Sequence, residues 1–314
     1  MERSLAKPLA IACLGEAMIE MVADAAVSTA ALGVAGDAMN TAIYLRRSLP
    51  SEHEVAFVSM VGQDRLSDRI AAFVAGEGVS TDLLVRHPER LPGLYLISTG
   101  ADGERSFGYW REASAARAMF AAPHGVAFER LERFDVVFAT AISLAILPQS
   151  DRHRFLDWIE RFRARGGRFV FDSNYRPALW PDRETARRDV ARAWTCCDIA
   201  LPSLDDEMAL FGDADETAVL ERLRGYGVRH GALKRGASGP LPIASDAPPM
   251  PFFAPAANVV DTTAAGDSFD GAFLAGWLTG GDIAAASAAG HALAAHVVTF
   301  PGAIAPGEAP DGSR

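Results

Sequence analysis

Asp261-Thr-Thr-Ala-Ala-Gly-Asp267-Ser-Phe-Asp-Gly-Ala-Phe273 is a tight, small-residue turn that runs into a helix. Ala264, Ala265 and Gly266 have almost no side chain, so their backbone N–H groups are open to a close ligand. Phe269, Phe273 and Trp277 then recur at helical spacing and mark the helix and its buried face. Bare amides at a helix N-terminus, reinforced by the macrodipole, make an anion site. A carboxylate there would repel a phosphate unless it also took a proton from the group attacking that phosphate. Capping alone explains an isolated Asp at such a place. The anion turn and Asp267 together point to phosphoryl transfer to a hydroxyl, and the helix dipole predicts a depressed pKa for this carboxyl.

Working outward, short apolar runs alternate with longer helical patterns. Strands are expected at 9–15, 55–61, 136–141, 168–172, 199–202 and 231–234. Helices are expected at 38–48, 66–76, 150–165, 184–196 and 215–226, with two Ala-rich helices after Asp267 split by Thr279-Gly-Gly-Asp282. This is the pattern of an α/β fold with a mostly parallel sheet covered on both faces. Two stretches break it. Residues 20–35 mix strand-like and turn-like pieces, and 91–111 reads as a hairpin around Gly100-Ala-Asp-Gly103. Both fit a small β lid over the strand ends, where open α/β sheets bind ligands. The Pro/Gly/Ala-rich tail after Pro301 is expected to pack loosely.

The 314 residues suit one large α/β domain or two smaller ones, and the net charge of −10 argues against a nucleic-acid partner. Cys13, Cys196 and Cys197 form no disulfide framework and no zinc spacing. With no apolar run near the roughly 20 residues of a membrane span and no signal-peptide core at the start, a cytoplasmic setting away from the membrane is expected. Gly231 to Ser238 has P-loop glycine spacing, but Ala237 stands where the phosphate-binding Lys must be. Gly225-Tyr-Gly227 lacks the third glycine of a dinucleotide fingerprint, because His230 occupies its place.

Gly36-Asp37-Ala-Met-Asn40 opens the second element of the chain core. Asp37 is either a helix cap or, with Asn40, a binder of vicinal hydroxyls, which both donate and accept. Asp172-Ser-Asn174-Tyr-Arg176 places a carboxylate, an amide and a guanidinium at alternate positions beyond a strand end. Either Asp172 and Arg176 form a local salt bridge, or Arg176 grips an anion with its planar fork. Arg111, with Tyr95 and Tyr109, would sit on the lid above a sugar; plain cross-strand packing explains the aromatic residues equally well.

Asp-Thr-x-x-Ala-Gly-Asp-x-Phe resembles the C-terminal signature of the ribokinase-like (PfkB-type) carbohydrate kinases, with Ala264 in place of the usual Gly. Gly36, Asp37 and Asn40 are similar to that family's N-terminal sugar signature, with Ala35 replacing its first Gly. Leu91-Pro-Gly-Leu-Tyr, Tyr109-Trp-Arg-x-x-x-Ala-Ala, Ser143-Leu-Ala-Ile-Leu, Asp172-x-Asn-Tyr-Arg-Pro-x-Leu-Trp and Lys234-Arg-Gly-Ala resemble the 2-keto-3-deoxygluconate kinases. The likeness runs from Gly15 to Ile304. It implies a single ribokinase-like, three-layer domain over 1–314, with lid segments at about 17–35 and 90–112. It implies ATP and Mg2+ as cofactors and phosphorylation of a C6 sugar acid at its far hydroxyl. Gly36, Tyr95, Tyr109, Arg111, Ile142, Arg176 and Asp267 would be substrate contacts, beside Asp37, Asn40, Asp172 and Asn174. Ser203, Lys234, Gly236, Gly239, Ala265, Gly266 and His291 would lie on the nucleotide side.

The broader family's metal-organising Asn-x-x-Glu is matched here by Ser203-Leu-Asp-Asp206, so Asp206 would orient magnesium through water, with Asp205 or Glu207 as alternatives. In the implied reaction Asp267 is the base, and the amides of Ala264, Ala265 and Gly266 stabilise charge on the transferred group. A kinase for a neutral sugar such as fructose, and a non-catalytic sugar or nucleotide sensor on the same fold, are the rival readings. The lid's open face is expected to be apolar and shared in a homo-oligomer.

Overall fold

The computed structural model describes residues 7–24, 29–99 and 105–306. In chain order its first half contains β1 (Ala10–Leu14), β2 (Met18–Asp24), β3 (Ala30–Ala35), α1 (Asp37–Ser48), β4 (Glu54–Val61), α2 (Arg65–Gly76), β5 (Leu84–Arg86), β6 (Gly93–Thr99) and β7 (Arg105–Trp110). Then come β8 (Val136–Thr140), α3 (Ala141–Ile146), α4 (Gln149–Ala164), β9 (Arg168–Asp172), α5 (Arg183–Thr195), β10 (Ile199–Ala200), α6 (Leu204–Phe211) and α7 (Glu216–Gly225). The chain closes with β11 (His230–Leu233), β12 (Leu241–Pro242), α8 (Ala265–Leu278) and α9 (Ile283–Val297).

One sheet has the order β12-β11-β10-β9-β8-β1-β4-β5, parallel except for β12 on the edge. Its strands are buried on both faces, which is why Ile11-Ala-Cys-Leu and Val136-Val-Phe-Ala read as unbroken apolar runs. Successive side chains alternate between the two covers. Ile11, Cys13, Phe57 and Phe138 share a core with Met39, Ile43, Ile70 and Phe273 of α1, α2 and α8. Ala12, Leu14, Val58 and Phe171 share the other with Leu144, Phe155, Trp194 and Leu223 of α3, α4, α5 and α7. Strand order reverses at β1, which has β8 on one side and β4 on the other. Such a switch point opens a crevice at the carboxyl ends of the strands.

Asp64, Asp182, Asp215 and Asp282 cap α2, α5, α7 and α9 by accepting from backbone N–H groups of the first turn. The run expected as one strand to residue 141 stops at Thr140, whose hydroxyl accepts from Ser143 N at 3.1 Å and starts the short α3. The second sheet, order β3-β2-β6-β7, is built from the two stretches that broke the alternation. The turn expected at 100–103 lies outside the described residues. The expectation of a loosely packed tail is corrected for its described part, where Ala303 and Ala305 are buried; residues 307–314 lie outside the described residues. Tyr44 Oη donates to Ala303 O at 2.8 Å and accepts from Ala305 N at 2.9 Å, which ties the tail to α1. Among the described residues no helix is long and apolar enough to cross a membrane.

Candidate active site

The crevice gathers residues that follow directly on strand ends: Glu16 after β1, Thr140 ending β8, Asp172 ending β9, Ser203 after β10 and Lys234 after β11. Helix α8 enters opposite them. Its cap is Ala264, whose φ of 61° is left-handed, and Asp267 is the third residue of the helix rather than its cap. Asp261 folds the preceding turn by accepting from Thr263 N at 2.9 Å, and it ties the turn to the tail through Gly302 N at 3.2 Å. The amides of Ala264, Gly266 and Asp267 have no acceptor among the described residues, whereas Ala265 N donates to Thr262 O at 3.2 Å. The anion turn is therefore open at Ala264 and Gly266, but not at Ala265 as expected, and Asp267 adds an amide that was not foreseen.

Asn40, buried on α1, donates from Nδ2 to Asp267 Oδ2 at 2.8 Å. One turn earlier, Asp37 accepts from Thr140 Oγ1 at 2.5 Å and from Asn174 Nδ2 at 3.0 Å, which crosses from α1 to β8 and β9. Burial raises the pKa of Asp37. Burial, with the negative charge of Asp37 and then Asp172, pushes Asp267 up to about 7, against the lowering by Asn40 and Lys234. This corrects the depressed pKa expected from the helix dipole: the surrounding carboxylates and lost solvation outweigh half a unit charge at the helix end.

Gly36 is the N-cap of α1, in extended backbone. A Cβ on it would lie 2.1 Å from Glu16 O, so only glycine lets α1 approach this closely. The local Asp172–Arg176 salt bridge is not formed. Asp172 Oδ1 lies 3.0 Å from Lys234 Nζ, and Arg176, half exposed, reaches Asp206 Oδ1 at 3.3 Å. Glu207 is fully buried on Arg222 at 2.7 Å, and burial pushes its pKa up to about 7. Ile142 lies half-buried in the first turn of α3.

On the far side of the anion turn is a pocket of about 490 Å3. Ser203, Lys234, Gly236, Ala265, Gly266 and His291 all line it, as does Asp205. Gly239 does not line it; it packs beneath Phe253, where a Cβ would lie 2.6 Å from the ring. His291 bonds Ala254 O at 2.7 Å through Nε2.

On the lid, Tyr95 and Tyr109 face each other across β6 and β7 with ring centroids 5.9 Å apart. Tyr95 is buried and donates to Glu20, while Tyr109 is exposed. Arg111 is buried and ion-paired to Glu16, with Nε 2.9 Å from Oε2. That carboxylate joins the two points where the chain passes between core and lid.

The pfkB family carbohydrate kinase model matches residues 9–310. The chain belongs to that family. It is 42% identical over 306 residues to the 2-dehydro-3-deoxygluconokinase of Dickeya dadantii, covering 95% of this chain and 97% of that one. It is 40% identical to the enzyme of the same name from Escherichia coli K12, covering 95% and 98%. The solved fructokinase from Xylella fastidiosa with bound ATP superposes with a TM-score of 0.78 at 27% identity, covering 94% and 93%. Sequence reasoning missed three polar members of this site: Glu16, Thr140 and Asp270. Asp270 alone carried a signal, standing one helical turn after Asp267 on an otherwise apolar helix face.

Proposed function

We propose that this pfkB kinase phosphorylates 2-keto-3-deoxygluconate at its 6-hydroxyl with ATP, giving the 6-phosphate and ADP. The observation that carries the chemistry is Asp267, poised near neutral pKa between open amides and Asn40. The near-full-length likeness to two 2-dehydro-3-deoxygluconokinases supports the substrate. In this reading Asp267 accepts the 6-hydroxyl proton as that oxygen attacks the γ-phosphorus. The amides of Ala264, Gly266 and Asp267 hold the charge on the transferred phosphoryl oxygens. Phosphoryl transfer needs mainly positioning and electrostatics, which this equipment supplies.

Asp37, Asn40 and Asn174 bind the sugar hydroxyls, Gly36 and Ile142 shape the floor, and Tyr95 and Tyr109 close over it. Arg176 and the remaining donors of Arg111 take the carboxylate. Among the described residues no three His, Cys, Asp or Glu side chains converge on a metal. Magnesium keeps its waters and takes one or two carboxylates plus phosphates. Asp206 would hold it through water, and it would neutralise phosphate charge.

We read the chain as one kinase domain with its lid, working in the cytoplasm, where its three free, buried cysteines stay reduced. Val22, Phe107 and Tyr109 expose apolar surface on the lid, and we assign that face to a second copy of the chain. A coupled ADP-release assay with ATP, magnesium, 2-keto-3-deoxygluconate, its galactonate epimer, fructose and ribose tests the reading. Turnover confined to the keto-deoxy acids is expected; turnover on fructose or ribose instead would remove the carboxylate clamp.

A further inference from the structure

Lys234 is fixed at the floor of the crevice by its own backbone. Its N–H donates to Pro202 O at 2.7 Å and its C=O accepts from Leu204 N at 2.9 Å. Its side chain is buried, and Nζ donates to Asp270 Oδ1 at 2.8 Å while standing 3.0 Å from Asp172 Oδ1. An ammonium carries three N–H donors. The third has no acceptor among the described residues. A Cβ built on Gly266 would be 3.5 Å from Nζ, so the ammonium lies against the anion turn, and the same residue lines the pocket on the far side of that turn. Asp270 is fully buried, and its Oδ2 has no partner among the described residues. An ion cluster of this kind is costly to bury, and apolar residues of similar volume often stabilise a core better.

We propose that the Lys234 ammonium is a charge-stabilising group of the phosphoryl transfer, set against the Gly266 turn by Asp172 and by Asp270 as positioning residue. The inference rests on the Asp267 mechanism above. The bond between the γ-phosphorus and the β,γ-bridging oxygen breaks, and its electron pair stays with ADP. The sugar O6 bonds to the γ-phosphorus, and the hydroxyl proton passes to Asp267. The third Lys234 N–H donates a hydrogen bond to a non-bridging γ-oxygen throughout and loses no proton. Lys234 has a second effect, on the base. Asp267 is faced by Asp37, Asn40 and Tyr44 from α1, by Asp172 at the end of β9 and by Asp270 on its own helix, with Arg111 beyond Asp37. Against those carboxylates the ammonium favours the ionised base.

The test compares Lys234→Met, and Lys234→Met combined with Asp270→Asn, with the wild-type chain by steady-state kinetics and thermal melting. Lys234→Met is expected to lower kcat by roughly 10²-fold, with the sugar-acid KM changed by less than about threefold, and to move the acid limb of kcat/KM to higher pH. The double variant removes a cation and a carboxylate together. It is expected to recover the melting temperature but not the turnover. Turnover recovering along with the melting temperature, to within about threefold of wild type, would make Lys234 a buried counter-ion only and overturn the proposal. A wild-type chain that turns over no keto-deoxy sugar acid would overturn instead the reading on which it rests.

Discussion

As the proposed base, Asp267 would serve turnover at the expense of stability. Its ordinary pKa is 3.8, and in the folded chain it is pushed up to about 7. Between those values the folded state binds the proton more tightly than the unfolded state. Its contribution to stability therefore falls as pH rises through that window, and the penalty is complete above about 7. Proton acceptance needs the ionised form, so kcat/KM should fall as pH drops through about 7. Asp267→Asn should cost on the order of 10²- to 10⁴-fold in kcat. The same variant should raise the melting temperature at pH 8 by about 2–5 °C, and by less at pH 5, where Asp267 is already protonated in the folded chain. Equal melting shifts at both pH values would sink the linkage. Ala264 is the other strained point, the one non-glycine residue with left-handed backbone among those described. Ala264→Gly should stabilise by about 1 kcal/mol, measured by chemical denaturation, because a Cβ costs about 1–2 kcal/mol there. The turn itself was legible from its small residues. The pKa of Asp267 was not, because Asp37 and Asp172 reach it from far along the chain.

At the scale of elements, α1 positions the base, and its start depends on one contact. Gly36→Ala would put a methyl against the Glu16 carbonyl, which is backbone and has no cheap way to yield. The helix must shift, taking Asp37 and Asn40 with it. A fall in kcat/KM on the order of 10²-fold is expected from a displacement near 1 Å, and steady-state kinetics with a thermal melt would show it. In the proposed reading the segment after β9 carries the specificity. Arg176 is half exposed and, among the described residues, held to Asp206 and its neighbour's carbonyl, so it can turn to a ligand. Arg176→Met should raise KM for the keto-deoxy acid about 10- to 100-fold, the worth of one charge-assisted hydrogen bond. An unchanged KM would assign the carboxylate elsewhere. Helix and strand positions were largely legible because periodicity and Asp caps are local. The short α3 and β5 were not, since pieces of a few residues carry no period of their own.

For the whole molecule, the lid is one part whose surface is unfinished. Trp110 is 60% exposed, Phe107 53% and Tyr109 51%, and Phe107 and Tyr109 share the cleft face with Tyr95. A dimer through this face is expected in light scattering, and Phe107→Glu should shift it to monomer. A wild-type monomer at high concentration would count against the pairing. The sequence by itself determined the alternation of strands and helices, the anion turn with its carboxylate, and the two lid stretches. Each is written in consecutive residues whose spacing, size and backbone freedom act locally. Only the tertiary structure decided which charges meet. It set Lys234 between Asp172 and Asp270, turned Arg176 to Asp206 rather than Asp172, locked Arg111 on Glu16 and packed the tail on Tyr44. Those pairings join residues distant in sequence, and electrostatics depends on distance and burial, which no local pattern records.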